Sequence, residues 1–140
     1  MLAEDALRQI LISNVGVTSL TTADRIFPNV LDQDTEYPAL CYRLRSREHP
    51  MKLELRGSIG MAKSRYAIFS AAETYDEVKA VDEAVRLALQ GYQAVVTVGL
   101  ETLEVMGIFP LTSVDFYDDS TGTHQVMSEY DVHHEEVQPT

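Results

Sequence analysis

His133 and His134 stand beside Asp131, Glu135 and Glu136, with His124 a little upstream. Imidazole and carboxylate together are the donor set of zinc or manganese. Neighbouring residues of a strand point to opposite faces, so only Asp131, His133 and Glu135 would share a side. Nothing near them in sequence closes a coordination shell, and the run reads as a solvated strand end without a metal.

Three other constellations invite chemistry. Asp119-Ser120-Thr121-Gly122 differs from the Asp-Thr/Ser-Gly loop of aspartic proteases by one extra residue between carboxylate and glycine, and reads as a turn. Cys41, the only cysteine, would need a base and an exposed electropositive setting to act as a nucleophile. Alternation puts it on the face of Arg43, but no histidine is close in sequence, so it reads as a packed thiol. Arg43, Arg45 and Arg47 recur with the period of a strand, which aims three guanidinium groups one way, as phosphate binding would use them. Neither a glycine-rich phosphate loop nor the aromatic-interleaved motif of RNA-binding sheets accompanies them. Their expected partners are acids such as Glu129 or Asp131, across strands or on a neighbouring subunit. Arg43, Arg45, Arg47, Glu129 and Asp131 are thus the candidate subunit interface. No catalytic, cofactor-binding or metal-ligating residue is expected, and the chain is not expected to be an enzyme.

The elements that must hold these residues carry an uneven charge. After Arg86 there are nine Asp or Glu and no Lys or Arg, whereas the first 86 residues hold 13 acids against 11 bases. Such asymmetry points to a partner or a tail. A basic middle stretch, Arg43, Arg45, Arg47, Lys52, Arg56, Lys63 and Arg65, is opposed only by Glu48 and Glu54. With pI near 4.6, the chain is unsuited to gripping nucleic acid broadly, which needs clustered cations. Its 140 residues with 45% hydrophobic content fit one globular domain, 1–140, with a core of its own. No apolar stretch approaches a membrane span and the N-terminus lacks a basic leader, so a cytoplasm-like milieu and no membrane contact are expected.

Leu7, Ile10, Leu11 and Asn14 keep helical spacing, with Ala3 and Ala6 extending the stripe, which predicts a helix over about 2–14 stopped at Gly16. From Val15 to Pro38 the periodicity fades into a loop pinned by Ile26, Phe27 and Val30, with Pro28, Asp32, Asp34 and Pro38 as its breakers. Ala39 to Arg47 alternates as a half-buried strand, and Met51, Leu53 and Leu55 alternate beyond Pro50, before Gly57 and Gly60. Ala62 to Ala72 reads as a second strand, Tyr66 and Ile68 on one face, Ala67 and Phe69 on the other. Thr74 with Glu77 forms a capping box opening a helix whose buried stripe is Val78, Val81, Val85, Ala88 and Leu89, ended at Gly91. Residues 93–106 read as a loop or an added strand. A strand over 107–118, interrupted by Pro110, turns through Asp118-Asp119-Ser120-Thr121-Gly122 into a last strand, His124 to Glu135. Its hairpin is expected to be apolar on one side, with Val114 and Phe116 beside Val126, Tyr130 and Val132. The other side is expected to be acidic, with Asp115, Asp119, Glu129, Asp131, His133 and Glu135. The fold class expected is α+β: an antiparallel sheet of about four strands with two helices packed on one face.

The order of these elements and several phrases resemble the tail completion proteins of long-tailed bacteriophages, also called tail terminator or tail-to-head joining proteins. The phrases are the N-terminal amphipathic helix, Asp24-Arg25-Ile26-Phe27-Pro28, Tyr37-Pro38-Ala39-Leu40-Cys41-Tyr42, and Ser64-Arg65-Tyr66-Ala67-Ile68-Phe69-Ser70-Ala71 running through Thr74-Tyr75-Asp76-Glu77 into a helix. Val114 to Asp118 and Ser128-Glu129-Tyr130-Asp131-Val132 close the set. The resemblance implies a small structural protein without enzymatic activity or cofactor. By resemblance it assembles as a ring, a hexamer, at the head-proximal end of the tail tube, in the virion's head-tail junction, after synthesis in the bacterial cytoplasm. Its implied partners are itself, the tail tube protein and the head connector or stopper protein, with DNA passing through without specific binding. A head-completion or stopper protein and a non-viral ferredoxin-like binding module are the alternatives. Carboxylates repel phosphate, so Asp115, Asp118 and Asp119 are candidates to face a DNA channel.

Overall fold

The computed structural model describes residues 2–29, 31, 36–48 and 61–135. Among them the chain runs α1 (Ala3–Ser13), α2 (Val15–Thr18), a 3-10 turn (Ala23–Arg25), β1 (Ile26–Pro28), β2 (Ala39–Glu48) and β3 (Met61–Ala72). It continues through α3 (Tyr75–Leu89), β4 (Ala94–Val98), β5 (Glu101–Asp118) and β6 (Thr123–Glu135). The six strands form one sheet in the order β1-β2-β3-β6-β5-β4, curled into a half-barrel. β1 runs parallel to β2, and every other neighbouring pair is antiparallel.

This corrects the expected plan of about four antiparallel strands with two helices on one face. The fold is mostly β and its sheet is mixed. The two strands absent from that plan lack a readable period. β1 has three residues, too few to alternate, and lies where a loop was expected. β4 falls in 93–106, where Val95, Val96 and Val98 put apolar side chains at both parities.

The helices follow their local chemistry. The Thr74 hydroxyl accepts the Glu77 N–H at 3.2 Å, which starts α3. Gly91, at φ 74, supplies the left-handed turn just past its end, and its N–H donates to the Ile108 carbonyl at 2.9 Å. In α1 the Asp5 carboxylate accepts the Leu2 N–H at 3.0 Å. The helix stops at Asn14, whose Oδ1 accepts the Val17 N–H and begins α2, so Gly16 lies inside α2 rather than ending α1. Leu7, Ile10 and Leu11 of α1 and Val81, Val85 and Leu89 of α3 pack with Leu40, Tyr42, Tyr66, Ile68, Ile108, Tyr130 and Val132 in one core. Each large apolar side chain buried there contributes roughly 2 kcal/mol.

Three register shifts decide which side chains share a face. In β2 the pairing passes from Leu44↔Tyr66 to Ser46↔Arg65, leaving Arg45 as an extra residue. In β5 shifts fall between Val105 and Gly107 and between Pro110 and Ser113. Each moves the residues beyond it to the opposite parity or offsets them along the strand. Pro110 beside one of these irregularities fits proline's confinement to edges and bulges.

Candidate interaction surface

One face of the sheet carries the core residues just described. The other carries Cys41 and Arg43 of β2, with Lys63, Arg65, Ala67 and Phe69 of β3. Met127, Glu129, Asp131 and His133 of β6 continue it, and Val114 and Phe116 of β5 complete it.

The arginines of β2 do not act together. The Arg43 guanidinium donates twice to the Asn29 carbonyl, at 3.3 and 3.1 Å, and lies 5.0 Å from the centre of the Phe69 ring. Arg45 reaches Glu129, with Nε 3.5 Å from Oε2. Arg47, beyond the bulge, pairs in register with Ser64 on the core face, and its Nε donates to the Ser64 hydroxyl at 3.3 Å. Strict alternation over Arg43–Arg47 thus fails at Arg45. Asp131 accepts from Arg65 at 3.0 and 3.5 Å, and that hydrogen bond holds the Arg65 guanidinium above its usual pKa. Lys63 meets Glu48 at 3.4 Å. Lys52 and Arg56, with Glu54, lie outside the described residues, as do Val30, Asp32, Asp34, Pro50, Met51, Leu53, Leu55, Gly57, Gly60 and Glu136.

The acids near the last turn also divide. The shift at Pro110/Ser113 brings Asp115 level with Val126 and Val114 level with Met127. The hairpin therefore lacks the expected apolar and acidic sides: Val114 and Phe116 share a face with Glu129 and Asp131, while Asp115 shares one with Val126. Asp115 accepts from Lys79 Nζ at 3.0 and 3.2 Å and from the Tyr75 hydroxyl at 3.2 Å. The lysine, before the tyrosine, lowers its carboxyl pKa. Asp118 accepts the Ser120 hydroxyl at 2.7 Å and its N–H at 3.0 Å, bonds that lower its pKa and fix the turn. Asp119 is exposed at the turn, as are Glu73, Asp76 and Glu77 where α3 begins.

The histidines are held apart. His133 packs edge-on against Phe109 at 5.1 Å. His134 is buried on the other face, its Nε2 2.8 Å from the Ser64 hydroxyl. His124 lies between Tyr75 and Tyr117. Glu135 accepts the Glu104 N–H at 3.0 Å. Among the described residues no group of three or more His, Cys, Asp or Glu is placed to hold a metal ion, and no helix is long and apolar enough to cross a membrane. Burial pushes the Cys41 thiol up to about 11, far from a reactive thiolate.

Two apolar features stand out from this polar arithmetic. On the helix-free face, Leu31, Cys41, Arg43, Phe69, Phe116 and Gln125 line a cleft of about 260 Å³, most of it apolar. At the opposite end of β5, the β4–β5 turn projects Val95, Val98 and a fully exposed Leu100 into solvent. Between them β5 exposes Phe109, Leu111, Val114 and Tyr117. The sequence signal for the turn is the uncharged run from Gln90 to Leu100.

The family described as tail completion protein gp17 matches residues 5–135. The chain belongs to that family. Its members are structural proteins of the phage tail, so the chain is a structural protein of the virion. A solved chain from "Virion of native gene transfer agent (GTA) particle" has the same fold, with a TM-score of 0.67 over 95% of this chain and 94% of that one, at 15% identity. No curated protein matches the chain.

Proposed function

We propose that this tail completion protein assembles as a ring, by family resemblance a hexamer, that caps the head-proximal end of the tail tube. There it joins the tube to the head connector and lets DNA pass. The observation that carries this reading is the family match over residues 5–135. The large apolar side chains exposed along β5 and at the β4–β5 turn support it, since an assembly would cover them. The similarity in fold to a chain of a gene transfer agent virion, a phage-like particle, supports it further.

The electrostatics fit the same reading. Lys79 neutralises Asp115, so the acids left to repel phosphate at that end are Glu73, Asp76, Glu77 and Asp119, with Asp118 committed to the turn. We place that end toward the DNA channel. The test is electron microscopy of purified tail tubes with and without the protein: ring density at one tube end is the expected result. Binding to isolated connectors but not to tubes would instead make it a stopper, and a monomer that binds neither would make it a free binding module.

A further inference from the structure

We propose that the β4–β5 turn of one copy docks into the cleft beside Cys41 on the next, with Val98 and Leu100 as the inserted side chains. The inference rests on the ring reading and names the contact that closes it. The turn is a knob: Leu100 is fully exposed and Val98 half-exposed, with no charged residue between Gln90 and Leu100. The cleft is a mostly apolar hollow lined by Cys41, Phe69, Phe116 and Leu31, with Arg43 and Gln125.

The knob cannot fill the hollow of its own copy. Leu100 precedes the first residue of β5 and Phe116 lies near its last, a separation along extended chain on the order of 50 Å. Two different surfaces at opposite ends of a subunit that bind each other form a heterologous contact, the kind that closes into rings. Continuation of the sheet edge to edge is a poorer route. The β1 edge has three residues, ends in Pro28 and turns away at Asn29, φ 70.

Charge selects a second copy over an unrelated apolar partner. Arg43 at the rim of the cleft meets a carbonyl oxygen and an aromatic ring, and no carboxylate among the described residues. The charged residues beside the turn are Glu101 and Glu104, cross-strand from Val98 and Val95. Docking brings the Glu104 carboxylate toward the Arg43 guanidinium.

A triple variant tests the contact on the full chain: Cys41→Ser removes the native thiol, while Leu100→Cys and Gln125→Cys place one thiol on the knob and one on the cleft wall. Oxidation of rings assembled on tail tubes should give a ladder of covalent multimers on a non-reducing gel, absent when either new cysteine is omitted. Rings visible by microscopy without a ladder would overturn the contact and leave the ring reading standing; failure of the native protein to form rings would overturn both. Leu100→Asp provides a check independent of thiol geometry, since this side chain makes no contact in the core and the fold should survive. It should weaken self-association by roughly tenfold or more, as loss of an anchor does. Native-like rings from that variant, or rings that form but no longer bind tubes, would overturn the proposal, the latter assigning the knob to the tube instead.

Discussion

Arg45 of β2 reaches Glu129 of β6 over the full width of β3, and the residue beneath them is Ala67, paired in register with Arg43 on one side and Glu129 on the other. Two strand spacings are about 10 Å, so the pair forms only because a long side chain lies across a small one. The ion pair is partly exposed and contributes under about 1 kcal/mol. Ala67 is fully buried beneath it. Glu129→Gln should therefore change urea stability little. Ala67→Leu should cost about 1–3 kcal/mol by forcing the covering side chains apart. Equal effects of the two substitutions in equilibrium unfolding would refute this layering.

Asp115 and Lys79 form another long-range pair, linking β5 to α3 at 3.0 Å. Lys79 holds the Asp115 carboxyl below its ordinary pKa. A depressed folded pKa gives a contribution that is complete above the unfolded value, about 3.9 for Asp, and is lost as pH falls through the folded one. Both side chains are half-exposed, so the effect is small. Asp115→Asn should be slightly less stable than the native protein at pH 7, and the difference should close as pH falls below about 4. A gap that persists into acid would mean that the tyrosine hydrogen bond, rather than charge, carries the interaction.

Long periodic elements were legible in the sequence and register was not. The stripe Val78, Val81, Val85, Ala88 and Leu89 repeats over four turns with a cap at each end, so α3 could be read residue by residue. β3 and β6 likewise alternate without interruption along their full pairing. By contrast, the face on which Arg47 or Asp115 lies depends on one extra residue at Arg45 and on the shift after Pro110. A bulge leaves no compositional trace, because it is selected by pairing with a strand distant in sequence. That is why cross-strand acids could be named as partners of the arginines, while the grouping of the arginines on one face could not. The knob at Leu100 was hidden for a related reason: valines at both parities describe a strand buried on both faces as well as an exposed edge.

Tyr66 is the largest fully buried side chain of the central strand, and its hydroxyl makes no hydrogen bond among the described residues. Burial pushes its pKa up to about 12, with the Arg47 guanidinium opposing that rise. A buried hydroxyl that makes no well-formed hydrogen bond carries a desolvation penalty of about 1–3 kcal/mol, which the nearby Arg47 guanidinium offsets only in part. Tyr66→Phe keeps the ring and its packing, so thermal unfolding should show a protein as stable as the native one, or more stable by up to about 1 kcal/mol. A loss beyond about 1 kcal/mol would show that the hydroxyl has a partner in the native fold.

The channel assignment makes a prediction that distinguishes charge from structure. Asp118 fixes the turn through Ser120 and Asp115 is tied to Lys79, so reversing either would confound the two. Asp76 and Glu77 favour the α3 N-terminus through the helix dipole. Glu73 and Asp119 carry neither duty, being exposed outside the helix and outside the hydrogen bonds of the turn. The double variant Glu73→Lys and Asp119→Lys should fold, form rings and cap tubes like the native protein. Particles assembled with it should deliver DNA less efficiently, because each ring subunit then turns two cations instead of two anions toward passing phosphates. The defect should shrink as ionic strength rises. Unchanged delivery from capped particles with normal DNA content would put this end on the outer wall of the ring.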